Sequence, residues 1–521
     1  MLSMLAFTET DGLENHSRMT ERQTLAAVDL GSNSFRLQVG RVVGNQIYEL
    51  DSLKETVRLA AGLDTKKNLT DACQANALAV LKRFGERLRG FSPDAVRAVG
   101  TNTLRVAKNA AAFLAKAESA LGFPIEVIAG REEARLIYVG VAHGLPASSE
   151  ERLVVDIGGG STECIIGTGV SPIKTESLYM GCVSYTGRFF GDGRIDEERL
   201  EKAELAARAE VETISADFRA TGWGLAVGSS GTAKAVGEML RLNGWAERGI
   251  TRPGLKRLRA ALLKAGDVRR IAIPGLTPDR APIIFGGFAI MAAIFDELGL
   301  EEIALSDYAL RHGVLYDLLG RAHHHDMRET TVTAFMRRYQ IDRAQSERVE
   351  ATALGLYAQV SADVGDVQRE HHEQLLAWAA RLHEVGISIA YSGYHKHSAY
   401  ILQNADMPGF SRMDQTQLGQ IVQAHRGSLA KSQSAFVRPG DTTIVMVFRL
   451  AALLNRGRGA AELPHMRLVE KNGGHELAID KSWLKHHPLT EAALEAETGQ
   501  WQSLGVDFRL KKLAGSGITN I

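Results

Sequence analysis

Between residues 25 and 50 apolar and polar side chains alternate in three runs, 25–30, 35–42 and 47–50, the last two parted by Gly44-Asn45. A two-residue period predicts half-buried β-strands, here joined by tight turns. From Thr70, a residue suited to capping, the period lengthens: Leu78, Leu81, Phe84 and Leu88 recur at helical spacing and predict an amphipathic helix. Residues 96–105 predict a strand that ends in Gly-Thr-Asn-Thr and opens a helix, and 125–135 a strand, a turn at Gly130 and a charged helix start. The apolar run 153–157 breaks into Gly158-Gly159-Gly160 and resumes as a second strand at 164–167. After a strand at 173–178, Asp196 is placed to cap a long helix with Leu200, Ala203, Ala207, Val211, Ile214 and Phe218 on one face. Residues 225–234 again read as strand, glycine turn and helix, 281–298 as a buried helix, and 303–313 as a strand entering a helix whose Gly313 permits close packing. Beyond about residue 320 the pattern is mainly helical, and strand-like alternation returns at 442–447, 465–470 and 476–479.

Two of these hairpins carry chemistry. Asp29-Leu-Gly-Ser-Asn-Ser-Phe-Arg-Leu-Gln-Val-Gly40 aligns without gaps on Asp156-Ile-Gly-Gly-Gly-Ser-Thr-Glu-Cys-Ile-Ile-Gly167, 127 residues later. Glycines in such a turn let backbone N–H groups converge on an anion that bulkier side chains would exclude. Asp156 and Glu163 bracket the second turn with carboxylates suited to a divalent cation beside phosphate oxygens. A Walker loop or dinucleotide fingerprint would open a helix here, and neither regular pattern occurs in the chain. Two copies of one phosphate hairpin predict duplicated lobes facing a cleft.

Composition narrows the partners. The 521 residues suffice for three or four domains, and with 61 basic and 61 acidic residues the net charge is zero, which offers no support for nucleic acid. Cys73, Cys164 and Cys182 show neither metal spacing nor an even count for disulfides, which fits a reducing cytoplasm. The longest uncharged run, 281–295, is too short to span a membrane. Residues 1–18 lack the basic start and apolar stretch of a signal peptide and read as a loose tail or as an upstream start before Met19.

VDLGSNSFRL, DIGGGSTE and SGTAKAV together resemble the exopolyphosphatase and guanosine-pentaphosphate phosphohydrolase family, within the actin-like, hsp70 and sugar-kinase superfold. The resemblance implies an α/β fold of two actin-like (ribonuclease H-like) lobes around a cleft, then a mainly helical HD-like domain and a small α+β C-terminal domain. The corresponding expectation is a disordered tail to residue 23, lobe I over 24–148, lobe II over 149–320, the helical domain over 321–435 and the last domain over 436–521. The implied activity is removal of terminal phosphate from inorganic polyphosphate, with pppGpp as the alternative substrate. A sugar kinase and a non-catalytic nucleotide-binding scaffold are further alternatives, although nothing in the chain marks a sugar pocket. Phosphoanhydride hydrolysis needs a group that orients and deprotonates water. In the family this is the second Glu of Glu-Glu-Ala-Arg, here Glu133. The phosphates would be held by Asp29, Gly31, Ser32, Asn33, Ser34, Gly158, Gly159, Gly160 and Ser161, with Arg105, Gly228, Gly231, Thr232 and Arg280 nearby, and the metal by Asp156 and Glu163. Mg²⁺, stimulation by K⁺ and a homodimer complete the expectation, and peripheral membrane association stays compatible with it. Thirteen of the sixteen histidines follow residue 320, in His323-His-His-Asp326, around His383-Glu384 and in 392–400. The HD-like relatives carry a His-Asp pair; His383-Glu384 departs from it, so a helical scaffold is the expectation there. The basic ending Arg509-Leu-Lys-Lys512 reads as solvated charge that could also extend a polyanion path.

Overall fold

The computed structural model describes residues 24–146, 148–322, 326–435, 440–459, 463–471 and 473–513; the expected tail and His323–His325 lie outside these residues. The chain divides into two compact units, one ending at Asp326 and one starting at Met327.

The first unit holds two sheets. Strands β1 (Thr24–Leu30), β2 (Ser34–Val43), β3 (Gln46–Thr56), β4 (Val96–Gly100) and β5 (Ile125–Val127) are ordered β3-β2-β1-β4-β5. Strands β6 (Glu151–Ile157), β7 (Thr162–Thr168), β8 (Ser171–Leu178), β9 (Leu225–Gly228), β10 (Ile250–Thr251) and β11 (Glu302–Leu305) are ordered β10-β11-β9-β6-β7-β8. Both sheets run through two antiparallel pairings and then two parallel ones: β3/β2/β1/β4/β5 matches β8/β7/β6/β9/β11. The duplication read from the hairpins is thus a duplication of whole sheets.

Alternation along the central strands explains how the sheets join. Ala26, Val28 and Leu30 enter one core, while Leu25 and Ala27 face a second core shared with Val154 of β6 and Val227 of β9. Helices Gly130–His143 and Leu310–Ala322 supply the rest of that shared core. They cross closely: a Cβ on Gly313 would lie 1.7 Å from the Leu136 carbonyl oxygen, and one on Gly140 would lie 2.4 Å from that of Ala309. Buried charges tie them further, with Asp317 accepting from Arg97 Nη1 at 2.6 Å and also from Arg135, itself held by Glu132 at 2.7 Å. The long helix Glu197–Thr221 is capped by Asp196, whose carboxylate accepts from the Arg199 amide, and it buries the predicted stripe. The stretch Ala281–Leu298 is long and apolar enough to cross a membrane, but it is mostly buried as the central helix of the second lobe. All three cysteines are free.

The second unit is a helical bundle of Met327–Arg338, Arg343–Ala358, Asp366–Leu382, Tyr394–Asn404, Arg412–Ala424 and Asp441–Leu454, followed by a sheet β12 (Met466–Lys471), β13 (Gly474–Asp480) and β14 (Phe508–Leu513). One expectation fails here: 442–447 is helical, not extended. Ile444 through Ala451 are buried almost without interruption, so the apolar run carries no helical period to read. Bundle and sheet share one core, from Val332 to Phe508. The basic ending forms β14, with Arg509 paired to Asp507, Lys511 to Glu476 and Lys512 to Glu491 and Glu495. Its charge is compensated within this unit, which argues against a polyanion path along it.

Candidate active site

The two glycine turns meet tip to tip. Asp29 pairs with Arg36 across β1 and β2, and Asp156 with Glu163 across β6 and β7, so each aspartate shares a sheet face with its partner. Gly31 and Gly158 answer the same need: a Cβ would lie 2.9 Å from the Ser34 carbonyl oxygen in one turn and 3.0 Å from that of Ser161 in the other. Gly159 and Gly160 answer a different one. Their Cβ atoms would come within 2.9 Å of Ser32 Cβ and 2.4 Å of Asn102 Oδ1, so the second turn is seated directly on the first lobe. Steric room for packing therefore joins room for an anion as the reason for these glycines. Among the described residues, no protein acceptor takes the amides of Ser32, Asn33, Gly159 or Gly160, which leaves converging donors at the junction.

A cavity of about 130 Å³ opens there. Three carboxylates reach it. Asp29 is partly buried with its Oδ1 enclosed, and this burial pushes its carboxyl up to about 7, Arg36 opposing and Glu133 and Asp156 adding to the shift. Burial likewise raises Asp156 to about 6, against a hydrogen bond donated by Ser229 Oγ at 2.5 Å. Glu133 sits in the first turn of Gly130–His143, where the helix dipole favours a negative charge. Its Oε2 accepts from Arg105 Nη1 at 2.7 Å, and the same nitrogen donates to the Ile128 carbonyl at 3.0 Å. Facing these acids are the cations Arg36, Lys234, Arg280 and Arg311.

Most residues singled out by sequence line this cavity: Asp29, Gly31, Ser32, Asn33, Ser34, Glu133, Asp156, Gly158, Gly159, Gly160, Ser161, Gly231 and Arg280. Four are set back from it. Glu163 is buried, raised well above the ordinary carboxylate range by burial and then by Glu133 and Asp156, and its Oε1 accepts from Ser177 Oγ at 2.8 Å. Arg105 is engaged by Glu133 and touches the cavity only through it. The Thr232 hydroxyl donates to the Ile157 carbonyl at 3.0 Å, and Gly228 makes room for Ala233, 2.8 Å from where its Cβ would stand. Sequence reasoning missed Arg36, Lys234, Arg311, Ser229 and Ser230. A signal existed for three of them: Arg36 occupies the place of Glu163 in the gapless alignment, and Ser229 and Lys234 flank the SGTAK glycine.

Among the described residues no group of three His, Cys, Asp or Glu side chains could hold a metal ion alone. Asp29 and Asp156 still fit Mg²⁺, which takes one or two carboxylates and completes its shell with water and phosphate oxygens. The buried Asp29 Oδ1, which has no hydrogen-bond partner, is the feature that fits. In the second unit the Glu384 carboxylate is taken by Arg458, with His383 Nε2 at 3.7 Å.

A model of the Ppx/GppA phosphatase family matches residues 38–322, and one of its domain III matches residues 327–498. Among solved structures, an exopolyphosphatase from Cytophaga hutchinsonii is similar at 27% identity and a TM-score of 0.52, over 57% of this chain and 98% of its own. An Aquifex aeolicus member of the Ppx/GppA family shares 25% identity over 58% of this chain and 100% of its own, with a TM-score of 0.49. An exopolyphosphatase-like protein, 23% identical with a TM-score of 0.51 over 58% of this chain and 99% of its own, shares the fold.

Proposed function

The chain belongs to the Ppx/GppA phosphatase family, and from that premise we propose that it is an exopolyphosphatase whose Glu133 activates the attacking water. The observation that supports this reading is the meeting of Glu133, held by Arg105, with unpaired turn amides and four cations in a single small cavity. An inorganic phosphate chain is recognised by charge and hydrogen bonds, and hydroxyls, amides, arginines and a lysine make up most of this cavity's lining.

The amides of Ser32, Asn33, Gly159 and Gly160 bind nonbridging oxygens and stabilise charge that grows on the transferring phosphoryl group. Arg36, Lys234, Arg280 and Arg311 orient the remaining chain. Arg105 aims the Glu133 carboxylate by its hydrogen bond, and that carboxylate takes the proton of the water as it attacks phosphorus. Ser229 holds Asp156 in place by its hydrogen bond. Bound beside Asp29 and Asp156, Mg²⁺ would supply positive charge to the phosphate oxygens.

The test is phosphate release from long polyphosphate and from pppGpp, with Mg²⁺ and with added K⁺, for wild type and Glu133→Gln. The expected result is a preference for polyphosphate in kcat/KM, and a fall in kcat of about 10²-fold or more in the variant with substrate binding retained. A preference for pppGpp would overturn the substrate, and activity within about tenfold of wild type, a barrier change of only ~1.4 kcal/mol, would overturn the base.

A further inference from the structure

The second unit contains a cavity of its own, about 280 Å³, that the hydrolytic chemistry does not use. Four arginines line it, Arg426, Arg449, Arg456 and Arg458, against two carboxylates, Glu384 and Glu497. Two of the arginines are spoken for. Arg449 is forked onto Glu497 at 2.5 and 2.6 Å and also holds the Gly427 carbonyl, so it fixes the wall. Arg458 is paired with Glu384. Arg456 has no carboxylate partner among the described residues, and neither has Arg426, which lies 5.6 Å from the Tyr391 ring and 5.1 Å from that of Tyr394 and hydrogen-bonds both tyrosine side chains. The cavity is thus left with an excess of positive charge.

Its floor adds an acceptor. His383 and His425 are buried, and each places Nδ1 against a backbone carbonyl, Ala380 at 2.7 Å and Val422 at 2.5 Å. A carbonyl accepts, so the ring proton sits on Nδ1. Burial holds both rings below their ordinary pKa, and Nε2 carries a lone pair. The Tyr394 hydroxyl lies 3.3 Å from the His425 lone pair; that of His383 lies 3.7 Å from Glu384, beyond hydrogen-bond reach. A metal ion could use that lone pair but would face the unpaired guanidiniums, and no metal-holding trio exists among the described residues. What satisfies cations and a buried acceptor together is an anion that also carries a proton.

We propose that this cavity binds a terminal phosphate group, as orthophosphate or as the end of an oligophosphate. Its oxygens pair with Arg456 and Arg426, and a P–OH, of which orthophosphate keeps at least one at neutral pH, donates to His383 Nε2. Sulfate has the same shape and charge but no proton, so the site discriminates against it.

Hydrogen–deuterium exchange on the full chain, in EDTA to hold hydrolysis off, tests this with orthophosphate, tripolyphosphate and sulfate. Protection is expected in 383–395, 424–428 and 453–458, read apart from any protection at 29–34 and 156–161 in the other unit. Sulfate should need a concentration about tenfold higher, and Arg456→Ala or Arg426→Ala should each weaken protection about tenfold, the loss typical of a charge-assisted hydrogen bond. Stronger protection by tripolyphosphate or by orthophosphate identifies the source, and either supports the site. No protection of these segments by either phosphate, equal protection by sulfate, or protection unchanged in both arginine variants would overturn it.

Discussion

Replacing Asp29 by asparagine should stabilise the protein while removing its turnover. Burial raises this carboxyl from 3.8 to about 7, roughly three pH units, or about 4 kcal/mol at 1.36 kcal/mol per unit. The fold therefore prefers the protonated form. Below about pH 4 the group is protonated in folded and unfolded states alike and costs nothing. As pH rises to 7 the unfolded chain ionises while the folded one resists, so stability falls across that window and levels off above it. Between pH 5 and pH 8 the added cost is roughly 2 to 3 kcal/mol, before relaxation or water entry reduces it. Asparagine has nearly the same shape and no charge. Thermal or urea unfolding without divalent ions should show Asp29→Asn more stable than wild type by several degrees at pH 8, with the gap shrinking by pH 5. Mg²⁺ should raise the melting point of wild type and hardly move the variant, because the cation offsets the same buried charge. A variant equally or less stable at pH 8, or a gap that does not close towards pH 5, would show that Asp29 is not held as a strained anion.

Ser229→Ala removes the hydrogen bond that opposes the raised pKa of Asp156; the acid limb of the kcat/KM profile should move up by about one pH unit, and an unmoved limb would mean that Asp156 does not titrate in the rate-limiting form. Gly160→Ala drives a methyl into Asn102, so activity and stability should both fall, and Asn102→Ala in the same chain should restore stability; failure of that rescue in unfolding experiments would refute the packing role of this glycine. Gly313→Ala meets the Leu136 carbonyl at 1.7 Å, a backbone overlap that should cost about 3 kcal/mol or more, read as a lost or strongly shifted unfolding transition; a change below about 1 kcal/mol would show that the two helices separate easily.

Much of this was legible because local chemistry and tertiary fate agreed. The hairpins at 29–40 and 156–167 announce themselves by an aspartate, a glycine that cannot accept a Cβ, and alternation on either side, and all three persist in the sheets. Asp196 and the stripe behind it behave in the same way. Legibility fails where burial removes contrast, as in Asp441–Leu454, whose apolar face extends almost all the way round. It fails again where a side chain's role depends on a distant partner. Thr232 looks like a phosphate hydroxyl until Ile157 claims it, and Arg105 looks like a phosphate arginine until Glu133 claims it. Arg311 reaches the cavity from a helix about 280 residues beyond Asp29, and no spacing rule links the two.

The two hairpins match in backbone but not in charge: the strand position that carries Arg36 in one carries Glu163 in the other. A chain of identical phosphates has no head or tail of its own, and a mirrored cradle would accept it in either sense. A cradle lined by a cation at one turn, with none at the matching strand position of the other, would be a diode for such a chain. The segment beside Arg36 would be held by attraction, while the one beside the second turn would find no cation at the matching position, where Glu163 lies buried and set back. Direction, which the ligand lacks, would then be written into the protein by a single departure from internal symmetry, and placing the same residue at both positions is the change that would erase it.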